Sequence, residues 1–464
     1  MLEFVSVGTK PTSFFKRFYQ GEGVCICDKT VTCKKMWEGF GTSYAIACGC
    51  LILKNDSEFW GTAFDFPLKG EDGDVCGALE KIEDYCAEKG IKLRYCCLNT
   101  EQTAVLAARY SSFSCVNDRN YRDYIYSAAE MGSFRGKKYA GQRNHINKFL
   151  AAYPTAVFRS ATNDDREKIF GFLKEWKETV LPDKSEGAAN EYEKAVKFLE
   201  KADLNDFETG CVETDGKIIA FCLGEKVFGS TVIHIEKALH RYEGVNVFMV
   251  REFAAKCGTE FINREDDAAT EGLRISKMQY HPLRLEPEFV MTVNNEAAKL
   301  SRIPTLKSER LTLGAIRKKE TEEYYRLCTD DELNKYWGYD YRADLTGELT
   351  KDYFYNVAKT DFSNRTAVNF AIRKDGTFIG ETVVYEFDFR GDCKVGVRIL
   401  PEYAGHGYGK EAFERTVEFA LYGLGVRKTL SSCYKENAPS VAMHNALMKK
   451  TGADEERFYY EREY

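Results

Sequence analysis

The chain has 464 residues, of which 44% are hydrophobic and 30% are charged, and its formal net charge is -6. This length predicts about three domains of ordinary size, and the composition is typical of a protein that fills its own cores. The sequence has no apolar run of membrane-spanning length, and its first residues lack the basic and apolar regions of a secretory signal. We therefore expect a cytoplasmic protein with no transmembrane segment.

One order of elements repeats along the chain. In the first part, the patterns predict a hairpin over 44–53 and 59–64 with its turn at 54–56, a helix over 78–89 and a strand over 93–98. The second part repeats this order with strands over 217–227 and 231–235, a helix over 245–257 and a strand over 261–263. A third copy follows a linker at 291–305. We therefore predict three related units, at 1–128, 129–293 and 304–464.

The 16 cysteines are numerous for a chain of this length. Most of them lie singly in apolar strand or helix patterns, which favours small buried side chains in a reducing compartment. Cys25, Cys27 and Cys33 form the one cluster that suggests zinc, but no second pair of ligands follows at zinc-finger spacing. We predict no metal site.

A basic stretch opens the second unit. Residues 135–148 contain up to six basic groups, and the residues of interest are Lys138, Arg143, Asn144 and His145. Such a concentration of positive charge in an acidic chain could attract phosphate from tRNA or from CoA. A solvated helix face explains the same pattern equally well.

A polar cluster follows the predicted strand at 261–263. It comprises Arg264, Glu265, Arg274 and Lys277. Charged residues directly after a strand are typical of a polar site at the end of a sheet, while buried structural ion pairs are the alternative.

These segments also carry a resemblance to a known family. The matching stretches are Arg122–Tyr126, Gly136–Phe149, His234–Lys237, Asn263–Asp267 and Glu271–Lys277. Over about residues 14–293, the chain resembles the C-terminal catalytic domain of phosphatidylglycerol lysyltransferases. The resemblance implies a tandem of two acetyltransferase-like folds and aminoacyl transfer from tRNA, without the membrane-embedded half of those enzymes. The tandem is then either an aminoacyl-tRNA-dependent transferase or a noncatalytic recognition module, with tRNA as its candidate partner.

The third unit contains a glycine-rich loop between a strand and a helix. The strands are predicted over 367–373, 377–387 and 394–400, and the helix runs from Lys410 to about Tyr422. Gly405, Gly407 and Gly409 precede that helix, where the first amides have no partner inside the helix and the helix dipole favours an anion. Glycines let the backbone wrap closely around such a group, so the loop predicts a phosphate site.

A second resemblance covers about Pro304 to Gly452. The stretches Leu306–Leu313 and Phe378–Gly380, the glycine loop, and Asn437 with Ser440 resemble a GCN5-related N-acetyltransferase (GNAT) of the ribosomal-protein-acetylating branch. The chain departs from that family's pattern at Ala404 and at Gly452-Ala453. The resemblance implies an acetyl-CoA (acyl-CoA) site, and the residues implied in it are Ile399, Leu400, Gly405, His406, Gly407, Tyr408, Gly409, Lys410, Asn437 and Ser440.

Together these patterns predict an α/β (α+β) protein of three GNAT-like units, each a mixed sheet with helices on both faces. The expected activity is acyl transfer from acyl-CoA to a small-molecule or peptide amine, which needs a base to deprotonate the amine. Glu381 is the first candidate for that base, ahead of Glu386, and a solvated strand carboxylate is the alternative for both. His444 is the candidate acid for the leaving thiolate, and a surface or core histidine is its alternative.

Overall fold

The computed structural model describes residues 2–20, 24–37, 41–57, 61–110, 112–183, 186–338, 340–343, 345–389 and 391–464. These residues form three mixed β-sheets with helices packed on them, which confirms the predicted fold class. The strands are β1 Val5–Ser6, β2 Ser43–Ala47, β3 Cys50–Ser57, β4 Gly61–Asp65, β5 Leu68–Lys69, β6 Arg94–Leu98, β7 Phe113–Val116, β8 Asp123–Ser127, β9 Val157–Arg159, β10 Glu208–Thr214, β11 Lys217–Val227, β12 Ser230–Ala238, β13 Phe261–Asn263, β14 Arg284–Glu286, β15 Phe289–Val293, β16 Leu306–Lys307, β17 Thr312–Ala315, β18 Ala367–Lys374, β19 Thr377–Tyr385, β20 Asp392–Ile399, β21 Lys428–Tyr434, β22 Lys449–Ala453 and β23 Arg457–Glu463. The α-helices are α1 Val31–Met36, α2 Val75–Lys89, α3 Thr100–Arg109, α4 Ala128–Ser133, α5 Ala140–Ala152, α6 Arg166–Thr179, α7 Glu186–Lys201, α8 Val245–Cys257, α9 Glu271–Met278, α10 Thr321–Thr329, α11 Asp331–Asn334, α12 Tyr353–Asn364, α13 Tyr408–Glu418 and α14 Ala438–Leu447.

The first sheet has the strand order β1-β2-β3-β4-β6-β15-β7, with β5 beside β3. Its β2–β3 turn lies at Cys48 and Gly49, so the turn predicted at 54–56 is wrong. Both turn residues have positive φ, 51° and 69°, as a two-residue hairpin turn requires. Residues 54–56 instead continue β3 and pair with β4. Of the strand predicted over 59–64, residues 59 and 60 lie outside the described residues.

The second sheet has the order β14-β8-β13-β12-β11-β10-β9. Its core contains apolar residues of α4, α5, α6 and α8. The two N-terminal sheets are interleaved in the chain, because β8 belongs to the second sheet while β15 returns to the first. The boundary at residues 128 and 129 stays a prediction.

The third sheet has the order β16-β17-β18-β19-β20-β21-β23-β22. Val368, Phe370 and Ile372 of β18 pack in the core that includes α13, while Ala371 packs with α10 and α12 on the opposite face. Both faces of this sheet are therefore covered by helices. The alternation along β18 follows from the period of two in a strand.

Candidate functional site

The glycine loop connects β20 to α13 and displays a row of free amides. Gly405 and Gly407 have φ of 79° and 78°, values that an L side chain rarely adopts. Among the described residues, the backbone N–H groups of residues 405–410 have no hydrogen-bond partner. These amides and the positive end of the α13 dipole point to an anion site.

A gap between two parallel strands leads to this loop. β20 and β21 pair only between Asp392–Lys394 and Lys428–Leu430, although β20 continues to Ile399 and β21 to Tyr434. On its other edge, β20 stays paired with β19 as far as Ile399. The residues of β20 after Lys394 therefore present one free edge, along which an extended ligand can form backbone hydrogen bonds. We call this gap the β20–β21 split.

Arg310 braces the glycine loop from outside. Its Nη1 donates to the His406 carbonyl oxygen (3.0 Å), and its Nε donates to Glu411 Oε2 (2.7 Å). Glu411 Oε1 also accepts from Ser308 Oγ (2.7 Å). The guanidinium lies 4.8 Å from the centre of the Tyr408 ring. Arg310 therefore fixes the first turn of α13 against the glycine loop.

His444 contacts the β20–β21 split through another residue. Asn437 caps α14 by accepting from the Ser440 amide (3.2 Å), and His444 lies on the buried side of this helix, with 3% of its surface exposed. Its Nδ1 is 2.8 Å from the Ser440 carbonyl oxygen, and its Nε2 is 2.8 Å from Ser431 Oγ. Burial lowers the pKa of His444. Sequence reasoning missed Ser431, which is the residue that reaches the split.

Glu381 lies in a buried ion-pair network, with 1% of its surface exposed. Arg398 Nε and Nη2 donate to its Oε2 (3.0 and 2.7 Å). Tyr324 and Asn369 donate to its Oε1 (2.6 and 2.8 Å). Neither a solvated carboxylate nor a base with a free oxygen fits this setting, because each of the two Glu381 oxygens already accepts two hydrogen bonds. The base role of Glu381 stays a prediction that these contacts do not favour.

The four predicted residues of the basic stretch lie on or beside α5, away from the deep core. Lys138 forms an exposed ion pair with Glu130 (2.7 Å), and Arg143 donates to the carbonyl oxygens of Phe134 and Gly136. Asn144 and His145 are exposed.

The structure places the four residues of the predicted polar cluster in ion pairs and backbone contacts. Arg264 is buried and pairs through Nε and Nη2 with Glu236 (3.0 and 2.6 Å). Arg274 pairs with Asp267, and Lys277 donates to the Arg264 carbonyl oxygen (2.6 Å). Glu265 pairs with Nδ1 of His234 (2.9 Å). Only Lys277 and Arg264 have a contact with each other among these bonds, since the ion pairs of the other members run to Glu236, Asp267 and His234. A site role for the four residues stays a prediction.

A second buried polar group joins the first two sheets and was not predicted. Lys34 forms an ion pair with Asp65 (3.0 Å), and both side chains are almost fully buried. Asp123 accepts from the Cys27 amide (2.7 Å) and from Asn263 (2.6 Å). Burial raises the pKa of Asp123 to about 7, and burial with nearby Asp28 and Asp123 raises that of Asp266 to about 7. The residues of this group lie far apart in the sequence, so no local pattern predicts that they meet.

The cysteines depart in part from the expectation of burial, since Cys48, Cys76 and Cys115 are exposed. Two groups in the described part of the chain bring possible metal ligands within 4.8 Å, namely Asp65 with Cys96 and Cys97, and Cys27 with Asp123 and Asp266. In the first group, the Lys34 ammonium lies 3.0 Å from Asp65 Oδ1 and 3.8 Å from Cys97 Sγ. That ammonium already supplies the positive charge there.

Comparisons with known proteins match two separate stretches of the chain. The family model described as phosphatidylglycerol lysyltransferase, C-terminal, matches residues 33–292, which is more than half of the chain. The chain therefore belongs to this family. A second model, acetyltransferase (GNAT) domain, matches residues 310–452, so the C-terminal region is a domain of the acyltransferase class.

Individual relatives match either part. An uncharacterized N-acetyltransferase, YnaD, of Bacillus subtilis is 26% identical over 152 residues, covering 33% of this chain and 84% of that protein. A conserved protein of unknown function from Bacteroides thetaiotaomicron is 25% identical, with a TM-score of 0.58, covering 63% of this chain and all of that chain. An acetyltransferase of the GNAT family from Bacillus anthracis is 20% identical, with a TM-score of 0.30, covering 34% and 98%.

Among the described residues, no helix combines the length and apolar character needed to cross a membrane.

Proposed function

We propose that residues 304–464 transfer an acyl group, most simply acetyl, from acyl-CoA to a primary amine. One observation carries this proposal: the β20–β21 split ends at a loop whose amides at residues 405–410 have no partner in the described part of the chain. A ligand with an extended amide-bearing arm and a pyrophosphate matches both parts. Acyl-CoA has this chemistry.

Different residues would bind different parts of acyl-CoA. The amides from Gly405 to Lys410 would hold the pyrophosphate, while the free edge of β20 up to Ile399 would pair with the arm. Leu400 follows this edge, and its amide and carbonyl oxygen already bond to Ile379 and Tyr403. The N-terminus of α14, with Asn437 and Ser440, would lie on the opposite side of the split. This arrangement would place the thioester between β20 and β21. A neutral amine then forms the C–N bond as the C–S bond breaks.

Acetyl-CoA binding to the intact chain tests this proposal. We expect acetyl-CoA to raise the melting temperature, because it binds the folded state alone. Gly407→Glu should abolish that rise, since the new carboxylate would lie at the anion site. Gly452→Glu is the matched control, because Gly452 is exposed and a Cβ there would meet nothing within 4 Å. A wild-type chain without a thermal shift would contradict the proposal.

A second candidate function, aminoacyl transfer from tRNA, concerns the N-terminal tandem. It is favoured by Asp123 and Asp266, two neighbouring carboxyl groups with pKa raised to about 7 by burial. Groups titrating near neutral pH can take up and release a proton during transfer.

Release of labelled amino acid from a charged tRNA mixture by the intact chain tests this candidate. Asp266→Asn should slow the release, whereas Asp164→Asn, a change at an exposed aspartate, should not. Equal release with and without the protein would rule this candidate out.

A further inference from the structure

Ser431 occupies a special position on β21. It directly follows Leu430, the last residue of β21 that pairs with β20. Its Oγ lies 2.9 Å from the Val395 carbonyl oxygen, across the point where the two strands separate. The side chain of Ser431 therefore bridges the strands at the closed end of the β20–β21 split. Its second contact is Nε2 of His444, at 2.8 Å.

The hydrogen-bond partners of His444 and Ser431 determine which of their atoms carry hydrogen. A carbonyl oxygen can only accept, so Nδ1 of His444 carries a hydrogen toward the Ser440 carbonyl at 2.8 Å. In the neutral ring, Nε2 is then an acceptor. The single hydroxyl hydrogen of Ser431 faces two acceptors, Nε2 and the Val395 carbonyl oxygen, and can satisfy only one of them.

One additional proton on the His444 ring supplies the missing hydrogen-bond donor. When Nε2 is protonated, it donates to Ser431 Oγ, and the Ser431 hydroxyl donates to Val395. All acceptors then have a donor. The Ser431–His444 pair, with a neutral imidazole, can therefore accept one proton at Nε2. That proton arrives through the Ser431 hydroxyl.

We propose that Ser431 and His444 form a proton shuttle that carries the proton of the attacking amine to the departing thiolate. This inference rests on the proposed acyl transfer and adds the route of the proton. Ser431 is the catalytic residue that touches the reacting groups, and His444 acts through it. His444 thereby serves as base and then as acid, instead of as the acid alone.

The step balances in atoms and charge. Attack of the amine on the thioester carbon forms the C–N bond and gives an ammonium centre. That centre gives a proton to Ser431 Oγ as the serine hydroxyl proton moves to Nε2. When the C–S bond breaks, Nε2 returns its proton through Ser431 to the sulfur. The products are an amide and the CoA thiol, and the shuttle is restored.

The residues that pack around the His444 imidazole suit its role as a base. Phe413 of α13 and Tyr460 of β23 flank the imidazole, with ring centres 5.1 and 4.9 Å away. Cys433 of β21 lies beside Ser440 and Tyr460. These groups are uncharged at neutral pH, and burial lowers the pKa of His444, so the ring is neutral and ready to accept a proton.

Steady-state kinetics of the intact protein with acetyl-CoA and a panel of primary amines test the shuttle. Ser431→Ala should lower kcat by about 100-fold and remove the acidic limb of the pH–rate profile, while the affinity for CoA stays unchanged. Ser431→Thr keeps the hydroxyl and should restore the wild-type pH profile. Ser432→Ala is the matched control, because this neighbour on β21 is exposed.

A second measurement needs no acceptor and covers the case of a poorly folded variant. In ¹⁵N-histidine-labelled protein, CoA should shift the Nε2 resonance of His444, and Ser431→Ala should remove that shift. A chain that binds no CoA overturns the proposed function and the shuttle with it. A chain that binds CoA, with an unmoved Nε2 resonance or an unchanged pH profile in Ser431→Ala, overturns the shuttle alone.

Discussion

The second and third units contain the same strand geometry and use it differently. In the second, β12 and β13 pair in parallel between Ser230–Val232 and Phe261–Asn263, and β12 continues to Ala238 without β13, paired only with β11 on its other edge. In the third, β20 and β21 pair over three residues each and then separate. Each longer strand leads into a helix whose N-cap is a glycine with positive φ.

The gap between β12 and β13 and the gap between β20 and β21 differ in what occupies them. In the second unit, the Arg264–Glu236 ion pair fills the gap, and a Cβ at Gly244 would lie 2.5 Å from the carbonyl oxygen of His145. α5 thus covers the N-terminus of α8. In the third unit, a Cβ at the N-cap Gly407 would meet only Nη2 of Arg310, at 3.4 Å, and a Cβ at Gly405 would meet nothing within 4 Å. A shared topology therefore predicts a ligand site only where the gap and the helix end are both open.

The largest expected effect concerns the ion pair that fills the gap of the second unit. Arg264→Met should lower the free energy of unfolding by about 3–5 kcal/mol, because it leaves the Glu236 carboxylate buried without its partner. Urea unfolding of the intact chain measures this change.

The matched control is Arg241→Met, since Arg241 pairs with Glu175 near the surface. That change should alter the unfolding free energy by less than about 1 kcal/mol. A loss below 1 kcal/mol in Arg264→Met would show that the ion pair does not fill the gap as described.

His234 lies on β12 beside the same gap and makes the free energy of unfolding depend on pH. Burial lowers its pKa, but hydrogen bonds to Glu225 and Glu265 outweigh burial and raise it to about 9. A folded pKa above the unfolded value of about 6.5 contributes stability that is complete below pH 6.5 and is lost as pH rises through 9. The unfolding free energy should therefore fall by about 3 kcal/mol more in the wild type than in His234→Gln between pH 6 and 10.

His145→Gln is the control for this experiment, because His145 is half exposed and lies 3.7 Å from Glu243. It should follow the wild-type pH dependence. Parallel curves for wild type and His234→Gln would mean that the pKa of His234 is the same in the folded and the unfolded protein.

The comparison also shows which features the sequence can predict. The Asp375-Gly376 hairpin and the glycine loop before α13 are local patterns, and the structure contains both. The Cys48-Gly49 turn was missed because cysteine is not a usual residue for a left-handed turn position. The β20–β21 split and the contact of Ser431 with His444 depend on where parallel pairing stops, and residues 36 positions apart in sequence, such as Lys394 and Leu430, decide that. The assignment of individual site residues stays a prediction.

A smaller effect is expected at the open helix end of the third unit. Arg310→Met removes the hydrogen bonds to His406 and Glu411 that hold the glycine loop. The loop amides remain, so CoA affinity should fall by about tenfold and not be lost. Isothermal titration measures the change, with the exposed Arg302 changed to Met as the control. Unchanged affinity would mean that the loop keeps its shape without Arg310.

The smallest effect concerns the covered helix end of the second unit. Because α5 blocks the amides of α8, a polyanion such as tRNA could contact only the exposed side chains of residues 135–148. Lys137 is exposed and has no partner among the described residues, whereas Glu130 already neutralises Lys138. In tRNA binding to the intact chain, Lys137→Ala should reduce the slope of log K against log salt by about 0.9, and Lys138→Ala by less. Equal slopes in both variants and the wild type would make the basic stretch a solvated helix face.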